Sequence, residues 1–157
     1  AEVVAGTMKL TGDMNGPDPR WGETGLEPSH MGQTILDPPS VEGWHTGKEW
    51  INSGALMRRV NFVADQVSNT SLPGVRDMID RIAASNGTQM SAEALVDECL
   101  DLMGPLEVRE DTRKQLVGHA EIGGPVRWDA EDGREDASRR VGEVLALIAA
   151  TREFQFG

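Results

Sequence analysis

From Asn52 onward the apolar residues recur at helical spacing, and glycine and proline interrupt them at short intervals. This rhythm constrains the fold more than any other feature, because a period near 3.6 residues puts each apolar set on one helix face. Asn52 or Ser53 can cap a helix to about Gln66, with Leu56, Val60, Val63 and Val67 facing inward. A second helix spans Leu72 to Ser85 on Val75, Met78, Ile79 and Ile82, and Asn86-Gly87 ends it. Ser91 caps a third, carrying Leu95, Val96, Cys99, Leu100 and Met103 and stopped by Gly104-Pro105. Glu110 to Ala120 is a weaker helix on Leu116 and Val117. After Gly123-Gly124-Pro125, residues from about Glu131 to Phe154 form the last, with Val141, Val144, Leu145, Ile148 and Ala149 inside. Glu135–Arg139 and Asp136–Arg140 are spaced for i,i+4 ion pairs on its wet face. Sustained two-residue alternation is absent, so strands should be scarce.

The first third differs. Ala1 to Leu10 reads as the end of a helix, with Val3, Val4, Thr7, Met8 and Leu10 toward a core. Gly12 to Leu26 is dense in Gly, Pro and Asp, the chemistry of turns. A short helix is expected from Glu27 to Thr34, with Pro28 in its first turn. Residues Ile35 to Ile51 then combine Pro38-Pro39, Gly43, Gly47, Trp44 and Trp50. The prolines exclude regular helix, and the tryptophans argue for a structured loop over a disordered one. The expected fold class is therefore all-α, an irregular bundle of about five helices behind a long Gly/Pro/Trp-rich loop region. Residues 1–52 supply the helix end and loop and 53–157 the bundle, in one compact unit.

The net charge is −11. Basic residues cluster no further than adjacent pairs such as Arg58-Arg59 and Arg139-Arg140. Nucleic acid is therefore a poor partner, since phosphate binding requires a basic stripe. No apolar run approaches the roughly 20 residues of a membrane span. The chain starts at an alanine in apolar sequence without a basic n-region, which reads as a boundary inside a longer protein. The single cysteine, Cys99, excludes an intrachain disulfide and lies on an apolar stripe, where it serves as a small hydrophobe.

The loop holds the candidate site: Asp37, Glu42, Trp44, His45, Glu49 and Trp50 fall close together. A tryptophan face could stack on a sugar while carboxylates bond its hydroxyls or act as acid and base. His45, Glu49 and Asp37 could alternatively hold a divalent ion. The simpler reading, which we favour, makes the tryptophans buried plugs and the polar groups partners of loop backbone. No metal or cofactor is expected on that reading. His30 and His119 are isolated and lack the HExxH spacing of a zinc helix. Asp129, Glu131 and Asp132 mimic part of a calcium loop, but no Glu stands at the twelfth position.

The string Met31-Gly32-Gln33, Pro38-Pro39-Ser40-Val41-Glu42-Gly43-Trp44-His45-Thr46-Gly47-Lys48-Glu49-Trp50-Ile51, then Leu56 and Arg59-Val60-Asn61-Phe62, resembles the C-terminal part of the bacterial family called domain of unknown function eighteen hundred. Val3 to Gly12 is similar to the helix before this region, and Leu147 to Gln155 to the family's closing "LL.SPEFQ", with Arg152 where the family has proline. The resemblance implies a large bacterial protein, often exported to the periplasm or cell exterior, with most of its length preceding Ala1. It implies a possible partner related to sulfatases and alkaline phosphatases, encoded nearby. It carries no catalytic residue.

The leading functional expectation is a non-catalytic packing or assembly portion of a larger exported protein, whose first partner is the remainder of its own chain. The alternatives are a carbohydrate-binding or hydrolytic site at the Trp44/Trp50 loop, and a docking module acting through the acidic surface.

Overall fold

A computed structural model describes residues 1–13, 24–34, 36–43, 52–104, 106–129 and 133–156. Among these the chain is mostly helical, as its periodicity requires. The order is α1 (Glu2–Thr11), α2 (Glu27–His30), α3 (Ser53–Ser68), α4 (Pro73–Ser85), β1 (Gln89–Met90), α5 (Ala92–Leu102), α6 (Glu110–Ala120), β2 (Val126–Arg127), α7 (Gly133–Ala150) and α8 (Arg152–Phe156). The all-α expectation is corrected by β1 and β2, which pair antiparallel with Gln89 opposite Arg127 and Met90 opposite Val126. Two residues are too few to show alternation, so only tertiary pairing reveals this sheet. Among the described residues no helix is long and apolar enough to cross a membrane.

The expected caps are in place. Asn52 accepts from the Ala55 N–H at 2.8 Å, and Ser91 from Ala94 at 3.3 Å, each satisfying a donor that the helix start leaves free. α4 has no side-chain cap; Pro73 stands at its start, where a missing N–H costs nothing. α1 ends at Gly12, whose N–H bonds back to the Met8 carbonyl.

The core is one cluster fed by every long helix. Val67, Val75, Ile82, Leu95, Val96, Val141, Leu145 and Ile148 are completely buried. Each contributes roughly 1.5–3 kcal/mol by leaving water. α3 against α7 is the most extensive helix pairing, and α1 lies across α3 and α4. Two glycines permit these approaches. A Cβ on Gly142 of α7 would sit 3.1 Å from the Ser68 carbonyl oxygen at the end of α3. One on Gly74 of α4 would collide with the backbone of Leu10 and Thr11.

Several inward faces differ from the expected ones. On α3 the buried residues are Ala55, Phe62, Val63, Gln66 and Val67, while Leu56 and Val60 are only half-buried. The face is turned because Gln66 goes inward with a partner. Its Oε1 is 3.2 Å from the buried Thr11 hydroxyl, and its Nε2 donates to Asp13 at 3.3 Å. Thr11 thereby replaces Leu10, which is part-exposed, on the inner side of α1. α2 is shorter than expected, ending at His30.

The last helix is two. α7 stops at Ala150, and Thr151 turns the chain: its hydroxyl donates to the Ile148 carbonyl at 2.7 Å and accepts from the Phe154 N–H at 3.2 Å. The i,i+4 pairs expected on α7 are also corrected. Arg139 instead bridges Asp136 and Glu143. Arg140 points inward, 6% exposed, and donates through Nη2 to the carbonyls of Ala120 at 2.7 Å and Gly124 at 2.6 Å. Ala120 ends α6, so the guanidinium meets the negative end of that helix dipole.

Candidate functional site

The described part of the proline–tryptophan loop is 36–43. It is held by backbone geometry. The Asp37 N–H donates to the Thr34 carbonyl at 3.0 Å. Ser40 and Gly43 form an antiparallel bridge, the Gly43 N–H donating to the Ser40 carbonyl at 3.0 Å. The Ser40 hydroxyl accepts from the Glu42 N–H at 3.3 Å and reaches the Gly43 carbonyl at 3.4 Å. This closes a tight turn with Val41 and Glu42 at its tip, and Gly43 at φ 99 lets the chain leave it.

Asp37 and Glu42 are both exposed on this segment. Trp44, His45, Glu49 and Trp50 lie outside the described residues. Each acid follows an exposed apolar residue: Leu36, before Asp37, is 95% exposed at φ 70, a left-handed conformation unusual for a leucine, and Val41, before Glu42, is fully exposed. Among the described residues no group of three or more His, Cys, Asp or Glu is placed to hold a metal.

A polar cluster invisible in the sequence lies where α2 meets α3. Arg58 grips Glu27 with both ends of its fork, Nε to Oε2 at 3.1 Å and Nη2 to Oε1 at 2.8 Å. This is the bidentate geometry that makes such pairs directional. His30 Nδ1 lies 3.5 Å from Arg58 Nη2 and 3.9 Å from Glu27 Oε1, so the imidazole borders the same pair. A cleft of about 190 Å³ opens beside Glu27, Arg58, Asn61 and Asp65. Separately, Glu27 reads as a helix-start acid, His30 as a lone histidine and Arg58 as half of a basic pair. Pro28 at the start of α2 was the only available hint, because it fixes the turn that aims Glu27 across 31 residues.

A second polar cluster occupies the closing "EFQ" stretch. Glu153 Oε1 accepts from Arg109 Nε at 3.0 Å, from the Arg109 N–H at 3.3 Å and from the Thr112 hydroxyl at 2.9 Å. The Arg109 hydrogen bond first, then local backbone and Thr112, hold its carboxyl down to about 2. Arg109 is the N-cap of α6 and has no side-chain cap of its own. Glu153 therefore caps α6 from 44 residues away. Gln155 is buried, its Nε2 donating to the Ala149 carbonyl at 2.7 Å. Apart from Gln155 Oε1, which is buried with no hydrogen-bond partner among the described residues, the groups named here are engaged in joining helix ends. Cys99 is likewise withdrawn from chemistry: burial pushes its thiol up to about 12, so it carries no thiolate at neutral pH.

No curated protein matches the chain, and no solved structure matches it. One sequence family does, over residues 2–156, and the segments placed above all fall within that match. The turn at 36–43, the α2–α3 cluster and the Glu153 cap are thus features of a chain that belongs to the family described as Protein of unknown function (DUF1800).

Proposed function

We propose that this chain is a non-catalytic packing or assembly unit of a larger exported bacterial protein, its helices acting as one irregular bundle that presents the 36–43 segment to further polypeptide of the same protein. The observation that carries this reading is the pinned exposure of Leu36 and Val41. Hydrogen bonds fix the backbone that displays them, the Asp37 N–H to Thr34 carbonyl bond beside Leu36 and the Ser40–Gly43 turn around Val41, and neither side chain belongs to the core. Apolar side chains held outward by an ordered backbone are what a packing surface requires. The acids Asp37 and Glu42 beside them would form its polar rim.

The test is a comparison of Leu36→Ser/Val41→Ser in two contexts. In this chain alone the pair should leave helical content and melting midpoint unchanged. In the full-length gene product the same pair should lower the midpoint or release the unit to proteolysis. Equal effects in both contexts would overturn the proposal.

A further inference from the structure

The end of α4 carries an Asn-Gly dipeptide at a junction between elements. Asn86 follows the last turn of α4 at φ −118, ψ 10, and Gly87 is exposed at φ 66 with nothing near where a Cβ would stand. The Asn86 side chain is half-buried. Its Nδ2 donates to the Ile82 carbonyl at 3.1 Å and to Glu98 Oε1 on α5 at 3.2 Å. Asparagine before glycine is prone to cyclise, because glycine leaves the following nitrogen unshielded. Here the fold opposes that reaction twice. At ψ 10 the Gly87 nitrogen nearly eclipses the Asn86 nitrogen rather than its Cβ, and the leaving amide is anchored by two acceptors.

We propose that Asn86–Gly87 is a site of spontaneous deamidation gated by the bonds to Ile82 and Glu98, and that its product loosens α4 from α5. The Gly87 nitrogen gives up its proton and attacks Asn86 Cγ. The new C–N bond forms, the Cγ–Nδ2 bond breaks, and ammonia leaves with that proton. Water then opens the succinimide at either carbonyl, giving aspartate or isoaspartate without any redox change. Either product lacks the N–H groups that served Ile82 and Glu98. In the aspartate form a carboxylate faces that of Glu98, and like charges so close repel.

The test follows the mass of the Asn86 peptide in the intact chain, folded and in urea, at mildly alkaline pH. The folded chain should react roughly tenfold or more slowly, since reaction requires local opening. Glu98→Ala should raise the folded rate several-fold and leave the urea rate alone. Asn15-Gly16, the same dipeptide elsewhere in the sequence, serves as an internal clock. If Glu98→Ala leaves the folded rate unchanged, or speeds both dipeptides equally, gating by this bond is wrong. A second measurement stands apart from kinetics. Asn86→Asp should lower the melting midpoint, and adding Glu98→Gln should recover part of the loss; no recovery would overturn the like-charge account.

Discussion

Arg140 is a buried cation that meets two backbone carbonyls and, at the hydrogen bonds seen, no carboxylate. Its contribution lies in what would be left behind without it. Replacing it with Met keeps most of the volume and leaves the Ala120 and Gly124 oxygens without that donor. An unsatisfied buried acceptor costs about 1–3 kcal/mol. Ala120 is buried and Gly124 lies in an exposed turn that water can reach, so Arg140→Met should destabilise by about 2–3 kcal/mol in urea unfolding. Arg140→Lys should recover only part, because an ammonium lacks the planar fork. A loss under about 0.5 kcal/mol, the scale of an ordinary surface change, would show that water replaces the guanidinium. The sequence misleads at this residue for a specific reason. Asp136 and Arg140 have the spacing of a surface pair, and spacing cannot tell that the arginine is turned toward a helix end 20 residues earlier. Asn52 and Ser91 were legible because their partners lie three residues on.

At the scale of elements, helix starts and stops could be read from glycine, proline and caps, and they hold for α3, α4, α5 and α6. The division of α7 from α8 could not. Val144, Leu145 and Ile148 continue the helical period toward Phe154, and the break depends on Thr151 binding back to Ile148 while Glu153 is drawn across to α6. The short β1–β2 pair and the α2–α3 cluster were hidden for the same reason, since each joins residues some 30 or more apart. Of the candidate site, the turn at 36–43 was legible as a structured loop, and Asp37 and Glu42 do share its exposed surface. Glu153 makes the long-range cap measurable. A carboxyl held at about 2 when folded, against 4.5 when free, binds protons more readily in the unfolded chain throughout that interval. Its stabilisation is therefore complete above about 4.5 and is lost as pH falls toward about 2. Other carboxylates titrate there too, so the readout is the difference between the chain and Glu153→Gln. That variant should be less stable at pH 7, and the gap should narrow in urea midpoints taken toward pH 3. A gap independent of pH would mean that the glutamate acts by packing alone.

For the whole molecule the governing quantity is a net charge of −11 on 157 residues. Exposed ion pairs such as Arg113–Asp97, Arg134–Asp80 and the Arg139 bridge bind locally. Pairs of this kind contribute at most about 1 kcal/mol each, and salt weakens them. The excess negative charge acts in the opposite sense: it repels itself across the folded surface and favours expansion. Salt therefore pits two effects against each other. Raising ionic strength from about 0.01 M to about 0.15 M shortens the screening length from roughly 30 Å to roughly 8 Å. That removes most repulsion between distant acids while contacts at hydrogen-bond distance persist. The long-range term should win at pH 7, and the melting midpoint should rise over this interval. Moving the pH toward the isoelectric point near 4.6 lowers the net charge and should shrink the salt effect. A midpoint that falls with salt at pH 7 would mean that the ion pairs joining α4 to α7 and α5 to α6 outweigh the repulsion. The acidic surface would then be a stabilising network and not a strain that a cationic neighbour could relieve.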